Sequence, residues 1–309
     1  MSDSPAGFRD PRLLLPFLLI TLIWSSTWIV IKDQLGTVPP VWSVSYRFVI
    51  AGAVMLVIAR LGGAGLALGR AGHGLALLLG LCQFVVNYNC VYFAELYITS
   101  GLAAVVFALL VAPNAVLAWL FFGARISGRF ALGSAVAMAG VALLFVQEMR
   151  HTDASTGAVL AGLGLTLVAV LAASVANVMQ LAEGVRRRSI AAMLGWAMLY
   201  GAAVDAAIAW ATTGPPVFDD RPGYWLGLVY LSVIASSLAF WLYYRIIRSI
   251  GPARAAYSSV LIPIVAMILS TLFEGYRWSA LALAGGALGL VGLVIALRAG
   301  RAPAPAPGE

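Results

Sequence analysis

The sequence predicts an all-α membrane protein with ten transmembrane helices arranged as two inverted five-helix repeats. Three observations carry this prediction: apolar segments of membrane-spanning length, a one-sided distribution of basic residues, and motifs that recur in both halves. Of the 309 residues, 62% are hydrophobic and only 10% are charged. An ordinary soluble domain has about 45–50% apolar and about 25% charged residues. So few charges could not cover the surface of a water-soluble protein.

Ten segments are long and apolar enough to cross a bilayer, which takes about 20 residues per helix. The first one lacks a clear cleavage site and is too long for a signal peptide, so we expect it to stay as a span. The Pro/Ala-rich tail 299–309 is expected to be disordered and cytoplasmic. The ten segments are 13–32, 41–60, 75–95, 99–122, 129–147, 157–181, 190–212, 224–247, 252–273 and 279–297.

The basic residues fall mostly on one side of this map. With the N-terminus in the cytoplasm, fourteen of them lie in cytoplasmic segments and four on the opposite side. Because basic residues favour cytoplasmic loops, both termini are expected in the cytoplasm. The net charge of +7 is therefore a topology signal, and no nucleic-acid partner is expected. Arginine outnumbers the single lysine, and this bias is typical of a GC-rich bacterial genome, so the expected location is a bacterial inner (plasma) membrane.

A motif in the fourth segment recurs in the ninth. Gly101 precedes Pro113 by twelve residues, and Gly251 precedes Pro263 by the same interval. Further along, Ser127, Gly133 and Gly140 recur at identical spacing as Ser279, Gly285 and Gly292. The halves, 13–147 and 157–298, each hold five spans, an odd number, so the second must enter the membrane inverted. Inverted repeats are typical of secondary transporters, whose solute site lies between the halves near the midplane.

The two matched prolines can be interpreted in two ways. Proline has no backbone N–H, so Pro113 and Pro263 each free a carbonyl within a helix. A free carbonyl is tolerated where it faces protein or a water-filled cavity. The prolines are therefore helix breaks beside a solute site, or simple packing kinks. Asn114 could hydrogen-bond to the carbonyl that Pro113 frees.

Several short stretches resemble the drug/metabolite transporter superfamily in its ten-helix form with two EamA domains. LIWSSTWIVIK (22–32) is similar to the family's opening in the first span, and Arg47-Phe48 is similar to the arginine of its second span. FEGYRWS (273–279) resembles its Gly-Glu-x-x-Ser turn, whereas the first copy of that turn has Ala124 where glutamate is usual. The resemblance implies transport by alternating access, and the aromatic residues below look most like those of bacterial aromatic amino acid exporters.

Polar and aromatic side chains inside the spans are the candidates for contact with a solute, because lipid-facing positions do not favour them. The alternative is hydrogen bonding between helices, worth about 0.6 kcal/mol on average. For Gln83, Asn87, Tyr88 and Asn177, deep in their spans, we prefer the solute-facing interpretation. The complete candidate set is Trp24, Ser25, Ser26, Gln83, Asn87, Tyr88, Asn114, Ser174, Asn177, Tyr230, Ser237 and Tyr257.

Three charged residues fall within or at the ends of spans. Arg47 could meet a substrate carboxylate, or Asp205 or Glu95 could neutralise it as a structural pair, and the pair is slightly favoured. His73 and His151 fall in predicted loops, and no metal site or cofactor is expected.

The candidates describe a pocket of hydroxyls, amides and aromatic faces with little net charge. Such a pocket suits neutral or zwitterionic solutes, because rings stack on aromatic side chains and hold cations over their faces. We therefore expect a monomeric exporter of neutral or aromatic amino acids, or of related amphipathic metabolites, working by facilitated diffusion. The alternative is a proton-coupled exporter of drugs or other metabolites. An enzyme is not expected, since no H-E-x-x-H motif or paired intramembrane aspartates are present.

Overall fold

The computed structural model describes residues 11–124, 126–151, 155–255, 258–275 and 278–298, and the regular structure within these ranges is helical. The candidate Tyr257 and the predicted tail 299–309 lie outside the described residues. The long helices are α1 (Pro11–Gln34), α2 (Pro40–Leu61), α3 (Gly69–Ala94), α4 (Ser100–Phe122), α5 (Gly128–His151), α6 (Thr156–Met179), α7 (Ile190–Thr213), α8 (222–250), α9 (Ser258–Phe273) and α10 (Ala280–Arg298). Short helical turns at Glu183–Arg186 and Pro252–Ala255 precede α7 and α9.

Seven of the described helices are long and apolar enough to cross a membrane: α1 to α4 and α6 to α8. In α5 and α10 the apolar stretches are shorter, at Gly128–Leu144 and Ala280–Gly292. The protein is therefore an all-helical, multi-pass membrane protein, as the composition predicts. The count of ten crossings stays a prediction.

Helices α2 and α7, the second of each half, pack together in antiparallel fashion. The Ser45 hydroxyl donates to the carbonyl of Ala202 at 2.9 Å. About two turns further along α2, Gly52 lies against the backbone of Gly195. Because partner numbers fall along α7 as they rise along α2, the two helices run in opposite directions.

Helices α5 and α10, the fifth of each half, approach so closely that glycine is required. A Cβ atom on Gly140 would lie 2.3 Å from the nitrogen of Gly289, and one on Gly292 would lie 2.2 Å from the nitrogen of Ala137. Real side chains do not tolerate such distances to backbone atoms, so only glycine lets these backbones meet.

Two glycine contacts between α5 and α10 are equivalent when the two halves of the chain are exchanged. A Cβ on Gly140 would meet the carbonyl of Gly285 at 2.6 Å, and one on Gly292 would meet the carbonyl of Gly133 at the same distance. Gly133 corresponds to Gly285 in the sequence repeat, and Gly140 corresponds to Gly292. One contact therefore maps onto the other when the halves are exchanged, as it does across a two-fold axis.

The third helix of each half contains a π-helical segment. In α3 it is Leu81–Val86, and in α8 it is Tyr230–Leu238. π-segments are rare and occur frequently at functional sites. Periodicity reasoning did not predict them, since one extra residue in a turn leaves no clear hydropathy signal in an apolar helix.

The two prolines differ in their local structure. A 3-10 turn at Ala108–Leu110 interrupts α4 just before Pro113. Pro113 has no backbone N–H, so a carbonyl of this turn loses the hydrogen bond that it would otherwise accept. Pro263, in contrast, lies inside α9, which continues through it from Ser258 to Phe273. The predicted break at Pro263 is therefore wrong as a local interruption.

The predicted loop positions of both histidines are also wrong. His73 lies in the first part of α3, which begins six residues earlier than predicted, and its Nδ1 atom is 2.8 Å from the hydroxyl of Tyr200. His151 is the last residue of α5. Glycines at both ends of the early α3 segment masked its helical character, because glycine is a poor helix former.

The close α5–α10 contact predicts unequal effects of two alanine substitutions in one helix. Gly292→Ala should lower the stability of the detergent-purified protein by about 1–3 kcal/mol, because the new methyl group collides with backbone. Gly286→Ala should have little effect, since its Cβ would meet nothing within 4 Å. Thermal unfolding measures both, and equal melting temperatures for the two variants would contradict this packing.

Candidate functional site

A cavity of about 90 Å³ is lined by helices of both halves. Its rings are Trp24, Trp28, Tyr88, Phe107, Phe240 and Tyr243, its polar groups are Thr27, Gln83, Asn87 and Asn177, and the rest are Ile31, Val91, Ala104, Ala108, Leu110, Ala173 and Ile262. Within the described part of the chain, this lining contains no aspartate, glutamate, histidine, lysine or arginine. The cavity is therefore aromatic and polar but uncharged.

The Trp24 indole is fixed in place by α8. Its Nε1–H donates to the carbonyl of Ala235 at 3.1 Å, within the π-segment of that helix. The ring of Tyr243 meets the indole edge-on at 4.8 Å between centroids, and the ring of Phe240 lies at 5.3 Å. Trp28 meets Phe107 edge-on at 5.6 Å. Rings held at these angles give the cavity rigid aromatic walls.

Two amide oxygens at the cavity have no hydrogen-bond partner among the described residues. They are Gln83 Oε1 and Asn87 Oδ1, and both side chains are only 3% exposed. The Asn87 Nδ2 group donates to the carbonyl of Gln83 at 3.1 Å, which fixes the orientation of the amide. Buried polar atoms without a partner are rare. These two oxygens can accept hydrogen bonds from a solute.

The π-segment of α3 explains why Tyr88 joins the same wall as Gln83. In an α-helix, residues three or four apart share a face, and the sequence therefore placed Tyr88 on a separate face with Tyr92. In a π-helix the hydrogen bonds join residues five apart, so residues with that spacing lie near one face. Gln83 and Tyr88 are five apart, and both line the cavity.

The structure brings together five of the candidates proposed from the sequence. Trp24, Gln83, Asn87, Tyr88 and Asn177 all line the cavity.

Four other candidates do not line the cavity and bond to the protein instead. The Ser25 hydroxyl donates to the carbonyl of Thr21 at 2.6 Å, within α1. The Ser26 and Tyr230 hydroxyls are 2.7 Å apart and join α1 to α8. The Ser237 hydroxyl donates to the carbonyl of Ala51 at 3.2 Å and joins α8 to α2. Ser26, Tyr230 and Ser237 thus make the interhelical contacts of the alternative interpretation.

Asn114 and Ser174 are buried but do not line the cavity. Neither amide atom of Asn114 has a hydrogen-bond partner among the described residues, so the expected bond to the carbonyl freed by Pro113 is not formed. The Ser174 hydroxyl also lacks a partner there. Pro263 lines a second, apolar cavity of about 270 Å³ between α4, α5, α9 and α10.

The expected pairing of Arg47 with Asp205 or Glu95 is wrong. Asp205 instead accepts a hydrogen bond from Asn89 Nδ2 at 2.7 Å, which ties α7 to α3. Glu95 receives a hydrogen bond from Lys32 on its backbone carbonyl, while both its carboxylate oxygens lack a partner in the described part of the chain. Neither carboxylate lies within 4.0 Å of the guanidinium.

The glutamate of the FEGYRWS turn holds two helices together. Glu274, which follows α9, accepts hydrogen bonds from the backbone N–H and the hydroxyl of Ser100 at 3.3 and 2.5 Å. Ser100 is the first residue of α4, so the carboxylate satisfies donors at a helix N-terminus, where negative charge is stabilising. Ala124, at the matching place in the first half, offers no such group.

Sequence reasoning selected polar residues and so missed most of the aromatic walls. Phe107 and Phe240 carry no signal that distinguishes them from lipid-facing rings. Trp28 could have been found, because it lies four residues after Trp24 and so shares its helix face. Tyr243 stands among other aromatic residues of α8, and its orientation depends on the π-segment before it.

Comparisons with known proteins agree with this architecture. The family model described as "EamA-like transporter family" matches residues 12–146 and 159–298. Protein PagO of Salmonella typhimurium is 22% identical over 271 residues, which covers 88% of each chain. An uncharacterised inner membrane transporter of Escherichia coli, YedA, is 28% identical over 85% of each chain. A probable amino-acid metabolite efflux pump of Escherichia coli is 24% identical over 90% of this chain and 92% of its own.

A solved crystal structure shows the same fold. It superposes with a TM-score of 0.67 at 20% identity and covers 93% of this chain and 96% of that chain. The two family matches together span most of the sequence, and the relatives are matched over nearly their whole length. The resemblance noted from the sequence motifs is thereby confirmed, and the chain belongs to the EamA-like transporter family of membrane transporters.

Proposed function

We propose that this transporter exports neutral amino acids, aromatic ones included, or related small amphipathic metabolites, by alternating access. The observation that carries the proposal is a cavity with aromatic walls, two unpartnered amide oxygens and no carboxylate, histidine, lysine or arginine among its described lining residues. The relative named as a probable amino-acid metabolite efflux pump supports both the solute class and the direction.

The cavity suits the two ends of such a solute. The faces of Trp24 and Trp28 can pack against an apolar or aromatic side chain, and rings also attract a cation over their faces. Gln83 Oε1 and Asn87 Oδ1 are acceptors, so they suit the N–H groups of an ammonium. A polyanion suits the lining poorly, because no lysine or arginine belongs to it.

We further propose that transport is facilitated diffusion. A coupled proton usually binds a carboxylate or a histidine that the solute or the conformational change can reach, and the described lining contains neither. A solute made in the cytoplasm can then leave down its own gradient. The alternative, a proton-coupled exporter of drugs or other metabolites, is favoured by the fully buried carboxylate of Glu95, whose oxygens have no partner among the described residues.

The proposal includes a topology of ten crossings in two inverted halves, 13–147 and 157–298, with both termini in the cytoplasm of a bacterial inner membrane. The antiparallel packing of α2 on α7 and of α5 on α10 supports the inversion, because corresponding helices of inverted repeats cross the membrane in opposite directions. Both halves of one chain supply the cavity, so we propose a monomer.

The topology predicts labelling from one side only. In a variant with Cys82 and Cys90 replaced by alanine, Ser155→Cys lies before α6 and Arg187→Cys lies before α7. An impermeant thiol reagent should label the first in intact cells and the second only after the membrane is opened. The reverse pattern would refute the orientation, and labelling of both from outside would refute the span map.

The unpartnered amides predict a loss of transport without a loss of folding. Gln83→Leu and Asn87→Leu should each lower flux about tenfold or more, because a hydrogen bond to a charged group contributes about 1.5–3 kcal/mol. Membrane abundance and thermal stability should stay near those of the wild type. The matched control is Asn89→Leu, two residues away, which should lower stability because it leaves the buried Asp205 carboxylate without its donor. If all three variants lose abundance alike, the cavity amides are structural.

The proposed solute class predicts that expression of the protein in a bacterial host changes resistance to a phenylalanine analogue and release of phenylalanine. Cells that carry the protein should resist a toxic phenylalanine analogue and release preloaded phenylalanine faster than control cells. In the same assay, Trp24→Ala should change the ranking among phenylalanine, leucine and threonine, because the ring selects apolar side chains. Unchanged resistance and efflux, with the protein verified in the membrane, would favour the alternative solutes. A fixed ranking would show that ring contacts do not select the solute.

A further inference from the structure

Arg47 is a fully buried cation that the proposed cavity lining does not include. It lies in α2 with 0% of its surface exposed. Its Nε donates to the hydroxyl of Ser236 at 2.9 Å, within the π-segment of α8. Its Nη2 lies 3.4 Å from the hydroxyl of Tyr88, and its Cζ lies 4.5 Å from the centre of that ring. Its Nη1 has no hydrogen-bond partner among the described residues.

The guanidinium is surrounded by neutral donors and rings and makes no direct ion pair. No carboxylate of the described residues lies within 4.0 Å of it, and Glu95 interacts with it electrostatically only from a longer distance. A buried charge without an opposite charge in direct contact is unfavourable. Hydroxyl groups and a ring face reduce that cost only in part. An anion that enters from the cavity would remove the rest.

Tyr88 connects Arg47 to the cavity. The same ring lines the cavity and lies against the guanidinium, so a single side chain separates the cation from a bound solute. Displacement of that ring would open a path between the guanidinium and the cavity. Gln83 and Asn87 lie five residues and one residue before Tyr88 on the same helix. Acceptors for an ammonium and a donor for a carboxylate are therefore close together.

We propose that Arg47 binds the carboxylate of the solute and so restricts transport to amino acids and other carboxylates, excluding amines. The guanidinium offers paired donors, which match the two oxygens of a carboxylate. The Tyr88 ring separates the guanidinium from the solute until it moves aside, and Ser236 holds the guanidinium through its Nε atom. This assignment rests on the proposed function and adds the group by which the site selects its substrate.

The rival role for Arg47 is structural, as a cation that packs Tyr88 into place and joins α2 to α8. A structural role affects all solutes alike, whereas carboxylate binding affects only those that carry one. The test therefore compares phenylalanine, phenylalaninamide and phenethylamine, which share a ring and an amino group. Only phenylalanine has a carboxylate.

The experiment measures the flux of each radiolabelled compound from liposomes that contain purified wild-type protein, Arg47→Gln or Arg47→Lys. Wild-type protein should move phenylalanine about tenfold or more faster than the other two, as expected for a hydrogen bond between charged groups. Arg47→Gln should abolish this preference by lowering phenylalanine flux alone, and Arg47→Lys should keep part of it. The matched control, Arg60→Gln, changes an exposed arginine of the same helix and should leave all three fluxes unchanged.

A second measurement uses wild-type protein only, so it does not depend on variant folding. Phenylalanine should raise the melting temperature of the purified transporter, and phenylalaninamide should raise it much less. Equal stabilisation by the two, or an equal loss of all three fluxes in Arg47→Gln, would overturn the assignment. If wild-type protein moves and binds none of the three compounds, the proposed function itself fails, and the assignment of Arg47 fails with it.

Discussion

The absence of water from the bilayer core is the constraint on which the rest of this structure depends. A polar group within a span must find its partner inside the protein, or it must face a cavity. Most hydroxyls in the spans meet the first condition: Ser25 bonds within its own helix, and Ser26 bonds to Tyr230 across two helices. Gln83 and Asn87 meet the second, since their amide oxygens are unpartnered and their side chains line the cavity. Two of the buried amide oxygens that the fold leaves unsatisfied therefore belong to the site.

The same constraint shapes the packing. Without a hydrophobic driving force between helices in lipid, close contact must come from small residues that let backbones meet. The glycines shared by α5 and α10 do this, and they do so reciprocally between the halves. The third helices, α3 and α8, both carry a π-segment and both contribute to the cavity. The packing glycines and the π-segments therefore recur in corresponding places of the two halves. The glycines join the halves, and the π-segments shape the space between them.

The fold was accessible from the sequence because its signals are simple. Apolar length located the helices, and glycine spacing revealed the repeat. The site was accessible only in part. Polar residues such as Gln83 stand out in an apolar helix, whereas Phe240 does not. The π-segments, which turn Tyr88 towards the cavity, change the helical phase by one residue and leave no compositional trace. The lack of a direct ion pair for Arg47 was also invisible in the sequence, because only three-dimensional packing shows that Asn89 binds Asp205.

The two halves share a backbone plan but differ in their side chains at one end of the bundle. There Glu274 binds the N-terminus of α4, and Lys32 binds the carbonyl of Glu95, whereas the first half has Ala124 in place of the turn glutamate. Such unequal contacts stabilise one end of the bundle more than the other. In facilitated diffusion this inequality sets which conformation the empty carrier prefers, because it changes the relative free energy of two states. It cannot set the direction of net flux, which only the solute gradient determines. Under the proposed facilitated diffusion, export arises from where the solute accumulates, and the asymmetry of the bundle would bias only which side of the membrane the empty site faces.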